Sequence, residues 1–182
     1  MMKRRIMTGV ACFLAMMFLS PVPLSAQARD ERAVKVALVF NLTKYVEWSQ
    51  NNSSLVIGFV GEGSMGELLQ KVLEGKSSDS RPIHVVLSPS DEELKKCNVI
   101  YFGDAQPRKV RATLERVRSL NILTVGETES FTQEGGIVGL VRTGEQVQIQ
   151  INQEAARESR LKISSRLLDL AVLVKPQPLA RN

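Results

Sequence analysis

The hydrophobic pattern changes character along the chain, and the changes divide it into elements. Residues 34–48, VKVALVFNLTKYVEW, are apolar on nearly every side. Their length suits a helix better than a strand. A helix of that kind has to be buried, in its own domain or against a partner. Asn41, Lys44 and Glu47 interrupt it. Two readings of the segment stand. In one it is a core helix whose aromatic residues fill space. In the other, Phe40, Asn41, Lys44 and Trp48 recur at helical spacing and show one face to a cleft or partner.

Beyond the polar connector 49–54, short apolar runs at residues 55–60, 83–87, 98–102 and 122–125 alternate with helical patterns. These helical patterns are 65–73, closed by Gly75, a short helix through Lys96 after the turn and cap Ser88-Pro89-Ser90-Asp91, 107–119 opened by Pro107, and a turn at 130–133. Continuous apolar runs of strand length suit strands covered on both faces. Their alternation with helices implies βα units with right-handed crossovers. The period then shifts to two. Residues 137–142 and 146–151 flank Thr143-Gly144-Glu145, and Val147, Ile149 and Ile151 alternate with Gln146, Gln148 and Gln150. That is an antiparallel hairpin. Asn152 caps a short helix over 153–158, residues 161–163 are extended, and Ser164 caps a last helix over 165–174 that Lys175-Pro176 ends. The expected fold is α/β: a single domain with a mixed, mostly parallel sheet of about six strands flanked by helices and ending in that hairpin.

The chain of 182 residues begins with a basic stretch, Lys3-Arg4-Arg5, then an apolar run over 6–19, breakers Pro21 and Pro23, and Ala26-Gln27-Ala28. This is the build of an export signal cut after Ala28; an uncleaved anchor is the alternative. The apolar run is short of the roughly 20 residues of a comfortable transmembrane span. The domain organisation is therefore a signal peptide at 1–28, one domain at 29–175 and a disordered tail at 176–182. Export changes the charge argument. Three of the 24 basic residues leave with the leader, so 21 face 19 acidic ones and the net falls from +5 to +2. A case for nucleic-acid binding built on pI disappears with it. Cys12 leaves too, so Cys97 has no partner for a disulfide within the mature chain and reads either as a buried apolar residue or as a free thiol able to pair between chains.

Few motifs carry chemistry. Gly61-Glu62-Gly63-Ser64-Met65-Gly66 fits G-x-G-x-x-G between a strand and a helix, but no acidic residue ends the next strand. It reads as a tight turn, and no cofactor is expected. His84 is the only histidine, so an ordinary zinc site has no second imidazole and no metal is expected. No Ser stands in a nucleophile elbow, and a catalytic site is not expected. Ser164, Ser165 and Arg166 open the last helix with two hydroxyls and a guanidinium, able to hold a carboxylate or to serve as a plain cap with a surface Arg.

Taken in order, FNLTKYVEW (40–48), LVIGFVGEGSMG (55–66), RPIHVVLS (81–88), CNVIYFGDA (97–105), ILTVGETESFTQEGGIVGLV (122–141) and INQEAARESRLKISSRLLDLA (151–171) resemble the YfiR/HmsC-like family of small exported bacterial proteins. The resemblance implies a periplasmic α/β regulator that is not an enzyme. In the family's best-known member it implies repression of an inner-membrane diguanylate cyclase through its periplasmic sensor part, relief by an outer-membrane lipoprotein, and a tendency to form homodimers. That member has internal disulfides; here Cys97 stands alone. The expected function is thus repression of a membrane-bound signalling partner in c-di-GMP and biofilm control. The alternative is a periplasmic small-molecule binding protein with its cleft at the strand C-terminal ends near Gly61, Gly103 and Gly126, and a hydrolase comes third. The candidate binding residues are Phe40, Asn41, Lys44, Trp48, Ser164, Ser165 and Arg166. Of these, Asn41, Lys44 and Trp48 are expected to reach a groove shared with the start of the last helix.

Overall fold

The computed structural model describes residues 24–49 and 52–175. Most of the expected signal peptide and the whole expected disordered tail lie outside them. The chain starts with α1 (Leu24–Leu42), then β1 (Val46–Glu47), β2 (Leu55–Val60), α2 (Ser64–Leu73), β3 (Ser77–Ser78), β4 (Arg81–Leu87), α3 (Asp91–Leu94), β5 (Val99–Phe102), α4 (Pro107–Val117) and β6 (Leu123–Gly126). The hairpin β7 (Val138–Thr143) and β8 (Gln146–Ile151) follows, then α5 (Gln153–Glu158), β9 (Lys162–Ile163), α6 (Ser165–Leu168) and β10 (Val172–Leu173).

The main sheet runs β10-β8-β7-β6-β5-β2-β4-β3, and β1 pairs with β9 in a separate two-stranded ladder. β4, β2, β5, β6 and β7 are parallel; β8 is antiparallel to β7, and β3 to β4. The expected six strands are the long ones, and two-residue pairings at each edge make the sheet eight-stranded. Such short edges had no periodic pattern to announce them.

Alternate residues of the central strands feed two cores, as the period of two requires. Leu55, Ile57, Phe59, Val99, Tyr101, Leu123 and Val125 face α1, α2 and the C-terminal elements, whereas Val60, Ile100 and Phe102 face α3 and α4. Phe59 and Tyr101 stack in the first core with centroids 6.1 Å apart, and Phe102 meets Phe131 at 5.4 Å in the second. Burying each large side chain contributes about 1.5–3 kcal/mol. The glycines of the G-x-G-x-x-G stretch serve this packing. Gly63 has φ 83°, and a Cβ on Gly66 would lie 2.6 Å from the Phe59 ring, so the motif is a close strand-to-helix turn.

The first and last helices end well before the expected positions. The first helix stops at Leu42 instead of reaching Trp48. The Thr43 hydroxyl donates to the Phe40 carbonyl, which the next helical N–H would have used, and the N–H groups of Lys44 and Tyr45 turn to Asn41 and Leu42 instead. The chain is then extended, and Val46 and Glu47 pair with Ile163 and Lys162. The last helix ends at Leu168, because Val172 and Leu173 pair in parallel with Gln150 and Ile151 of β8. The expected turn at 130–133 stays a turn, with Phe131 buried against Gly126 and Gly136.

Candidate functional site

The parallel strands have two ends, and α1 runs across one face of the sheet from one to the other. At the C-terminal end Arg32 donates to the Ser64 hydroxyl, 2.7 Å. Lys35, only 6% exposed, reaches Glu127 just past β6 at 2.5 Å and Glu31 one turn back at 2.7 Å. The Tyr101 hydroxyl donates to the other Glu127 oxygen at 2.6 Å, and Arg142 of β7 donates to Glu31 at 3.1 Å. Two cations and two carboxylates balance, which is the condition for burying charge. Burial pulls the Lys35 pKa down, but its bonds to Glu127 and Glu31 outweigh that and leave it raised. The Lys35 hydrogen bond holds Glu31 below the usual carboxylate range. Burial, then the neighbouring Glu127 charge, pushes Tyr101 up.

The glycines of the alternative ligand cleft are occupied by the protein itself. A Cβ on Gly103 would lie 2.8 Å from the Phe59 ring, one on Gly126 2.4 Å from Phe131, and one on Gly61 3.2 Å from the Asp104 backbone. These glycines let rings and chain pack closely.

The N-terminal end of the strands holds the candidate residues. Phe40 is half-buried at the end of α1, with the ammonium of Lys44 4.3 Å and that of Lys76 5.8 Å from its ring centroid. Asn41 and Lys44 are exposed and 3.5 Å apart. Thr43, fully buried, shares a hydrogen bond with Ser78 at 2.8 Å. Trp48 is half-buried past β1, and its indole N–H donates to the Asn98 carbonyl at 3.2 Å, with the Arg81 guanidinium 5.4 Å from its ring centroid. Because the helix ends at Leu42, Phe40 and Asn41 lie on it, Lys44 in the turn and Trp48 beyond a strand; the four do not share a helical face.

The segments after α1 and before α6 meet here all the same. The Ser164 N–H donates to the Tyr45 carbonyl at 2.9 Å, beside the β1–β9 ladder. Ser164 is the N-cap residue of α6, but its hydroxyl makes no capping bond, and its Oγ is the one buried side-chain polar atom without a hydrogen-bond partner among the described residues. Ser165 and Arg166 are exposed. Next to them an open groove of about 420 Å³ lies between α5, β9 and α6. Its lining, with Arg157 and Lys162 on it, was not foreseen, since it joins residues from three short elements.

The other sequence motifs fall into structural places. His84 is exposed on β4 and bonds Glu74 at 3.0 Å; the Val85 N–H, then His84, keeps Glu74 below the usual carboxylate range. Cys97 is buried, and burial raises its thiol to about 11. Ser90 and Glu93 form a capping box on α3, and the Asn152 side chain caps α5. Among the described residues no group of three or more His, Cys, Asp or Glu could hold a metal, and no helix is long and apolar enough to cross a membrane.

No curated protein matches the sequence. Two solved structures share the fold. One is the ABC domain from Streptococcus pneumonia in complex with L-Trp, with TM-score 0.53 at 14% identity, over 76% of this chain and 59% of that one. The other is a conserved domain protein from Vibrio cholerae, with TM-score 0.56 at 15% identity, over 80% of this chain and 60% of that one. This chain thus spans about three fifths of their length. At such identity the likeness is one of architecture alone. A family model described as YfiR/HmsC-like matches residues 32–172, nearly the whole described domain from α1 to β10, and the chain therefore belongs to the YfiR/HmsC-like family of periplasmic regulatory proteins.

Proposed function

We propose that this protein binds the periplasmic part of an inner-membrane signalling protein, a diguanylate cyclase, and holds it inactive. The family match over residues 32–172 carries this reading. Residues 1–28 direct export and are removed, and the mature protein acts without a catalytic centre. Repression is differential binding: the protein stabilises the inactive state of the sensor by its greater affinity for that state, and a competing outer-membrane lipoprotein releases the sensor by occupying the repressor. Geometry supports a protein partner over a small ligand. The strand C-terminal end, the usual ligand position in open α/β sheets, is filled by α1 and its charge network. At the other end Asn41, Lys44, Ser165 and Arg166 are exposed.

The test is direct. Mature protein added to membrane vesicles bearing the cyclase lowers c-di-GMP synthesis in a saturable way. Unchanged synthesis with the protein correctly oriented on the periplasmic side would sink the proposal.

A further inference from the structure

The groove between α5, β9 and α6 combines an apolar floor with two cations that make no ion pair among the described residues, Lys162 standing opposite Glu47 across the β1–β9 ladder. Ala156 and Leu161 are buried beneath it, and Ile163 and Leu168 are half-buried, so hydrocarbon on its floor faces water. Arg157 and Lys162 line it, both exposed, and no carboxylate does. Neither cation has an ion-pair partner among the described residues; the Arg157 Nε donates only to the Gln153 carbonyl. Elsewhere on the same helix the protein does neutralise charge, since Glu158 makes two bonds to Arg118 at 2.7 and 2.8 Å. The groove's volume falls within the range of ligand pockets, and an apolar trough edged by free cations complements an apolar strip edged by carboxylates.

From this we infer that the groove docks an acidic amphipathic segment of the protein partner. Apolar side chains of that segment lie on Leu161, Ile163 and Leu168, and its Asp or Glu carboxylates meet Arg157 and Lys162. The inference rests on the partner-binding reading above and names the chemistry of the segment bound. Arg157 and Lys162 steer the encounter and fix the segment's register, so binding weakens with salt.

Site-specific photo-cross-linking on cyclase-bearing membranes tests it. The full protein carries benzoylphenylalanine in place of Gln153 on the groove, or in place of Arg108 on the exposed opposite face as a control. The expected result is an adduct from position 153 and none from 108, with the cross-linked peptide showing apolar residues flanked by Asp or Glu. Arg157→Glu with Lys162→Glu lowers the adduct about tenfold or more at unchanged Tm, and Arg157→Lys largely retains it. An adduct from 108 alone, or from 153 to a peptide without acidic residues, overturns the docking inference and leaves the partner reading standing. No adduct from either position, together with unchanged c-di-GMP synthesis, overturns both.

Discussion

The two ends of the parallel strands are built on opposite plans. At the C-terminal end the buried charge is paired: Lys35 sits between Glu31 and Glu127, Tyr101 completes Glu127, and Arg142 completes Glu31. At the N-terminal end polar groups are left over, among them the Ser164 hydroxyl and the unpaired cations of the groove beside it. The first arrangement is what fastening a helix to a sheet requires, because a buried charge without a partner costs several kcal/mol. The second arrangement leaves polar groups that the domain itself does not satisfy. The end that α/β proteins ordinarily give to ligands is here the closed one, and the proposed interface lies at the other.

The largest effect that would break this contrast is at Lys35. Lys35→Met removes the shared cation and leaves Glu31 and Glu127 facing each other at the sheet end. It destabilises the domain by about 3 kcal/mol, read as a fall in the urea midpoint. A loss under about 0.5 kcal/mol would mean that the network is solvated and the two ends are not different in kind.

Trp48→Ala comes next. The ring is half-buried and its N–H is bound to the Asn98 carbonyl, so truncation costs about 2 kcal/mol and leaves the domain folded. A folded variant that no longer represses marks Trp48 as interface. Outright unfolding marks it as core and removes it from the candidates.

The smallest effect is a pH dependence confined to the closed end. Glu31 has a lowered folded pKa, so its contribution is complete above the ordinary value of 4.5 and is lost as pH falls through the folded value. Lys35 has a raised one, so its contribution is complete below 10.5 and is lost as pH rises through the folded value. The network therefore stabilises most between these limits. Glu31→Gln flattens the acid side of the stability profile, and equal acid slopes in variant and parent would show that Glu31 does not couple to Lys35.

Periodicity along the chain was enough for the long strands, the hairpin and the helices between them, because burial on two faces or one imposes a period that local residues must obey. Cap chemistry did as well where the partner is three residues away, at Asn152. The order of the motifs was enough for the family. What the sequence could not determine depends on distant partners. Val46–Glu47 leaves helical spacing because Lys162–Ile163 is there to pair with it, and Val172–Leu173 because β8 offers an edge. Lys35 is one polar residue in an apolar run until Glu127, 92 positions away, makes it the centre of a charge network. The groove likewise exists only once α5, β9 and α6 are folded together. Local propensity acts over a turn or a strand, whereas ion pairs, edge pairings and grooves are made by residues that only the tertiary fold brings within reach.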